Sequence, residues 1–212
     1  MIRKIFVLIL LLFPFMICFG QDTDVELWLS AQIRTDFKKK FRLYYEQGYR
    51  RDSCLTKTKT FYFETGGFYK PWKFLWVGPY YRHYDDFKGS RNNHLVGVLL
   101  LRKELGRFGF RSRTRYIAEF GGENETDHYL RERIIAAYDI KKFKFNPFIN
   151  TEFIFHFQPE KTENEQIRFD IGVERSLAKH HDIEIFYRYC IERNVKDPIN
   201  SHIFGIDYVF EF

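Results

Sequence analysis

The sequence predicts an all-β protein, a transmembrane up-and-down antiparallel β-barrel of about 10–12 strands. Three observations predict it. Apolar and polar residues alternate with a period of two along almost the whole chain, the pattern of strands with one greasy and one polar face. The alternating segments run to about eleven to thirteen residues, close to the ~9–11 that a tilted membrane strand needs and well past the ~5–6 usual in soluble sheets. The connections between them alternate short and long, as membrane barrels do.

Taken in order, the candidate strands are 24–35, 38–50, 58–69, 72–84, 93–105, 108–120, 128–140, 146–158, 166–177, 182–193 and 201–212. Phe41, Leu43 and Tyr45 alternate with Arg42, Tyr44 and Glu46. Phe110, Ser112, Thr114 and Tyr116 alternate with Arg111, Arg113 and Arg115. Ile149, Thr151, Phe153 and Phe155 alternate with Asn150, Glu152 and His156. Ile167, Phe169 and Ile171 alternate with Arg168 and Asp170, and Ile185 and Tyr187 with Glu184 and Arg188. The strand 72–84 is the least clear, because Trp72, Phe74 and Trp76 have apolar neighbours in Leu75 and Val77. Short turns are expected near Thr35–Lys38, Lys70–Pro71, Gly106–Arg107, Lys141–Lys144 and Ala178–His181. Longer loops are expected at Arg50–Lys57, Asp85–Asn92, Gly121–Asp127, Gln158–Glu165 and Asn194–Asn200. Eleven segments conflict with the even strand number of bacterial single-chain barrels, so ten or twelve strands are expected.

Residues 1–20 read as a secretory signal peptide, with residues 21–212 as the barrel: Arg3 and Lys4 precede an apolar run, and Cys18 and Gly20 stand before a cut at Gln21. Beyond residue 20 the longest apolar run, Leu95–Leu101, is far too short for a membrane helix. The 212 residues are 20% aromatic and 29% charged, which excludes a disordered chain. Three cysteines are too few for a disulfide scaffold. Cys54 and Cys190 leave one bridge open.

Periodicity alone does not say which face points outward. A soluble carrier would turn its apolar face inward; strand length, loop rhythm and the terminal Phe212 favour apolar residues facing lipid. Tyr44, Tyr45, Tyr49, Tyr69, Trp72, Tyr80, Tyr81 and Tyr84 are then candidates for interfacial girdles. The basic balance of +6 suggests nucleic acid at first sight, but its distribution does not. The short-turn segments carry ten Lys and Arg against one Asp, the long loops seven against ten acids. A rim with Lys38, Lys39 and Lys40 fits anionic headgroups instead.

The inward candidates are Arg111, Arg113, Arg115, Glu119, Arg131, Arg133, Glu152, Arg168, Asp170, Glu174 and Arg188. Both signs in so narrow a barrel predict a ladder of ion pairs. No catalytic constellation stands out: His156 and Glu152 share one face and Ser112 lies on the other. His180-His181 falls in a turn, Asn124-Glu125-Thr126 is an isolated sequon, and no metal or cofactor motif is present.

Glu26-Leu27-Trp28 near the start, Arg111-x-Arg113-x-Arg115 and Arg131-x-Arg133 in the middle, then Glu152-Phe153, Arg168, Gly172 and the terminal Phe212 together resemble a family of bacterial outer-membrane proteins grouped only as a domain of unknown function. Phe186-Tyr187 stands where that family usually has Gly-Tyr. The resemblance implies a barrel in the Gram-negative outer membrane. It also implies assembly by the barrel-assembly machinery, with Phe204, Tyr208, Phe210 and Phe212 as the signal. The expected role is structural or a narrow, porin-like channel for small solutes, with outer-membrane lipids and lipopolysaccharide as surroundings. The alternatives are an outer-membrane enzyme acting on lipid or lipopolysaccharide, and a secreted soluble ligand-binding barrel.

Overall fold

A computed structural model describes residues 23–87, 91–121, 126–141, 145–157 and 162–212. Eleven strands form one closed barrel: β1 (Thr23–Phe37), β2 (Phe41–Asp52), β3 (Lys57–Trp72), β4 (Leu75–Asp85), β5 (Arg91–Leu105), β6 (Phe108–Phe120), β7 (Asp127–Tyr138), β8 (Asn146–Phe157), β9 (Thr162–Ala178), β10 (His181–Glu192) and β11 (Asn200–Glu211). Each overlaps its candidate segment. The signal-peptide region, the sequon residues 124–125 and part of several connections lie outside the described residues.

The count is eleven rather than ten or twelve. Sequential neighbours pair antiparallel, and the barrel closes by a parallel seam between β1 and β11, from Thr23↔Asn200 to Arg34↔Glu211. An odd number makes the first and last strands run the same way, and closure geometry permits this. Parallel pairing is slightly weaker per residue. Side chains tie this seam: Ser30 donates to Asp207 at 2.7 Å and Arg34 pairs with Glu211 at 2.9 Å.

The tight connections gather at one end of the barrel. Phe37 accepts from Lys40 N–H at 3.1 Å, with Lys38 and Lys39 both at positive φ (48° and 58°). Those are the signs that a type I′ turn demands. Gly106, at φ +63°, supplies the same freedom between β5 and β6. Lys70–Pro71 is not a turn. It lies in the irregular end of β3, where the register slips between Tyr69 and Trp72, and the reversal falls at residues 73–74. The β7–β8 connection, 139–145, departs from the short–long rhythm.

Orientation follows from neighbouring residues. Ile171 is 60% exposed and Asp170 is 4% exposed; Ile149 is 60% exposed and Glu152 is 1% exposed. Apolar side chains form the outer wall and charged ones fill the axis, the inverse of a soluble carrier. Burying them outward requires an apolar solvent, so the strands cross a membrane. Among the described residues no helix is long and apolar enough to cross one.

Aromatic pairs band the outer wall near both ends. At the turn end Phe41 packs tilted against Tyr69 at 5.1 Å between centroids and Phe108 against Tyr138 at 4.9 Å. At the loop end Tyr116 meets His128 and Tyr187 meets His202, joined at 3.0 and 2.6 Å through the histidine Nδ1. Tyr45, Tyr49, Tyr69, Trp72 and Tyr81 lie on this outer wall. Tyr44, Tyr80 and Tyr84 do not: they share the inward parity of Glu46, Arg82 and Tyr62, and Tyr44 and Tyr80 are buried.

Candidate functional site in the barrel lumen

Because strands alternate, every second residue of β6 to β10 projects to the axis. Register then decides which charges meet. Arg113 stands opposite Arg133, Arg115 opposite Arg131, and Glu152 opposite Arg168. Two carboxylates organise the centre. Glu152 accepts from Arg115 at 2.9 Å, Arg131 at 2.8 Å and Arg168 at 3.2 Å. Asp170 accepts both Nε and Nη2 of Arg188 at 2.7 Å, Nη2 of Arg133 at 3.2 Å and Asn150 Nδ2 at 2.6 Å. The paired Arg188–Asp170 contact is the two-pronged geometry that makes guanidinium–carboxylate bonds strong.

The remaining inward candidates pair toward the ends. Arg111 reaches across the lumen from β6 to Glu174 on β9 at 2.8 Å. Glu119 meets His94 at 3.1 Å and accepts from Asn92 at 2.5 Å. Arg113 makes no ion pair among the described residues. This direct contact between β6 and β9 means that the lumen is narrow on this side.

Sequence reading missed the opposite wall. Glu64 on β3 takes Arg82 of β4 at 2.5–2.7 Å and the Tyr44 hydroxyl at 3.2 Å. Trp28 lies in the lumen with three guanidiniums around its ring: Arg50 at 3.9 Å, Arg188 at 4.9 Å and Arg168 at 5.3 Å. Tyr44, Tyr80, Val96, Val98 and Ile117 form a buried apolar cluster beside them. The alternation of Glu46, Tyr62 and Glu64 carried the parity signal, but an aromatic on the inward face reads like one on the outward face. Trp76 turns inward and is buried, whereas Trp72 and Phe74 are exposed.

Three cavities run along the axis from the centre to the turn end, of about 110, 240 and 530 Å³. The first shares Arg113, Arg115 and Arg133 with the second, and the second shares Arg34, Arg102 and Arg111 with the third. Seven arginines and four carboxylates line the central one.

The two candidates for a catalytic pair, His156 and Ser112, lie on opposite sides of the wall. His156 lies inside between Glu165 at 2.6 Å and Asp127 at 3.1 Å, while the Ser112 hydroxyl is outside the wall, donating to Glu132 at 2.7 Å. Glu132, also held by Thr114 at 2.5 Å, puts a carboxylate on the outer wall halfway along β7. No group of three His, Cys, Asp or Glu is placed to hold a metal among the described residues. Cys190 is a buried free thiol, so no bridge joins it to Cys54.

Residues 25–200 match the family described as "Protein of unknown function (DUF2490)". The chain belongs to that family. No curated protein matches the sequence. Among solved structures, this family member is similar to the NanC porin (TM-score 0.56, 13% identity, 89% of this chain and 99% of that one). It is also similar to the β domain of the Bordetella autotransporter BrkA (0.51, 14%, 84% and 86%). A third similarity is to LpxR from Salmonella typhimurium (0.51, 8%, 84% and 84%). At these identities the likeness is one of fold: outer-membrane β-barrels.

Proposed function

We propose that this barrel sits in the bacterial outer membrane, exported by a cleaved signal peptide, as a narrow porin-like passage for small anionic solutes. The observation that carries the reading is the axial run of cavities whose central chamber is lined by seven arginines against four carboxylates. A cation-rich wall inside a low-dielectric barrel concentrates anions and repels cations. The likeness to a porin supports the class. The turn end then faces the periplasm, with Lys38, Lys39 and Lys40 against anionic lipid headgroups of the inner leaflet and the loop end among lipopolysaccharide. Phe212, with Phe204, Tyr208 and Phe210 on the same strand, would serve the barrel-assembly machinery as its signal.

Planar-bilayer recording on the purified protein tests the passage. Discrete current steps with a reversal potential displaced toward the anion side are expected under a salt gradient. Absence of steps would make the barrel structural, and cation selectivity would overturn the reading of the arginine wall.

A further inference from the structure

We infer that the central chamber is a binding site for one multiply charged oxyanion group, held by Arg113 with Arg115, Arg131 and Arg133. The inference rests on the proposed passage and specifies the ligand it would retain. The register between β6 and β7 sets two arginine pairs face to face, Arg113↔Arg133 and Arg115↔Arg131. Like charges directly opposite on one face destabilise a sheet, and the chain's own carboxylates answer only part of it. Glu152 takes Arg115 and Arg131, and Asp170 takes Arg133. Arg113 is left with no carboxylate partner among the described residues.

The same four side chains show a second deficit. The Nε–H groups of Arg113, Arg115, Arg131 and Arg133 are all buried without an acceptor among the described residues. Buried donors in folded proteins are satisfied in the great majority of cases, by protein, water or ligand. Here four of them belong to residues lining one chamber of about 110 Å³. That space holds several waters, and so a small tetrahedral or planar oxyanion. Water would fill it but would leave the charge excess unanswered. An anion with several acceptor oxygens answers both deficits, since guanidinium recognises phosphate, sulfate and carboxylate through paired N–H donors. The lining holds seven arginines against four carboxylates. Asp170 and Glu184 behind it take Arg188 and Arg133. The cationic excess that remains, together with the four unanswered Nε–H donors, favours a group with several acceptor oxygens, such as sulfate or phosphate, over a single carboxylate. The wider cavities toward the turn end give a route to the chamber.

Calorimetric titration of the full-length barrel in detergent, at constant ionic strength, tests the site. The ligands are inorganic phosphate, sulfate, succinate, acetate and chloride. Saturable one-to-one binding of sulfate or phosphate is expected, at least tenfold tighter than acetate, with chloride undetected. Arg113→Gln should weaken it at least tenfold, and Arg113→Lys should recover part of the loss. Arg107→Gln, in an exposed turn, should change nothing. Retained heat-modifiable gel mobility certifies that each variant is folded. Equal affinity in wild type and Arg113→Gln, or no oxyanion binding at all, would overturn the site. The two readings fail separately. A barrel that binds sulfate but passes no current keeps the site and loses the passage. One that conducts anions with no saturable binding keeps the passage and loses the site. Whether succinate competes with sulfate decides between a carboxylate-bearing and a phosphate- or sulfate-bearing ligand.

Discussion

Replacing Glu152 with Gln removes one negative charge from the point where three guanidiniums converge. The carboxylate is 1% exposed, and its partners lie at 2.8–3.2 Å. At an effective dielectric near 20, each charge pair at ~4 Å is worth about 4 kcal/mol, partly offset by the cost of desolvating the carboxylate itself. Measured losses on breaking a buried ion pair are about 3–5 kcal/mol, chiefly from the charge left unpaired. The three arginines are not equally exposed to that loss. Arg115 keeps the Tyr80 hydroxyl at 3.2 Å and Arg168 keeps Gln166 at 2.7 Å, but among the described residues Arg131 has only Glu152. Glu152→Gln should therefore cost about 3–5 kcal/mol, and adding Arg131→Gln should recover a substantial part. Urea unfolding in phospholipid vesicles measures it, with the buried Trp76 and the lumenal Trp28 as fluorescent reporters. A loss under ~1 kcal/mol, typical of exposed pairs, would show that water screens the network and that the lumen is wider than its contacts indicate. No rescue by the second substitution would refute Arg131 as the orphaned charge.

Glu132→Leu should stabilise the barrel by about 1–2 kcal/mol in the same assay, because lipid-facing charge at mid-depth is costly, less for Glu than for the ~2–4 of Arg or Lys; a loss would mean that the carboxylate has a partner beyond Ser112 and Thr114. Gly205→Ala should cost about 1–3 kcal/mol, since an added Cβ would lie 2.0 Å from the Phe186 ring, while Gly97→Ala, which meets nothing within 4 Å, should be nearly neutral. The Lys38/Lys39/Lys40→Gln variant should bind anionic vesicles more weakly, by about 1 kcal/mol per cation in contact with the surface; co-sedimentation with unchanged affinity would assign those lysines to solubility alone.

The eleven strands were legible in the chain because a two-residue period is a local property, and each apolar–polar alternation marks its own segment. On the strands with strict alternation, β6 and β8 to β10, the apolar face was legible for the same reason, so the parity of Arg113, Arg115, Glu152 and Asp170 could be read from the sequence; the strand with Trp72, Phe74 and Trp76 lacked that signal. What meets what was not. Glu152 and Arg115 sit on strands separated by β7, and Arg111 reaches Glu174 across two intervening strands. Such contacts depend on closure and on the register of every seam between them. Closure also decided the parallel β1–β11 seam, since a strand count alone does not say how the first and last strands meet. Trp28, Tyr44 and Tyr80 were hidden for a related reason: aromatics stabilise both a lipid belt and a guanidinium stack, and only the third dimension shows which neighbour each ring has. Local patterning fixes the elements and their faces, whereas the balance of charge inside the barrel is a property of the closed sheet.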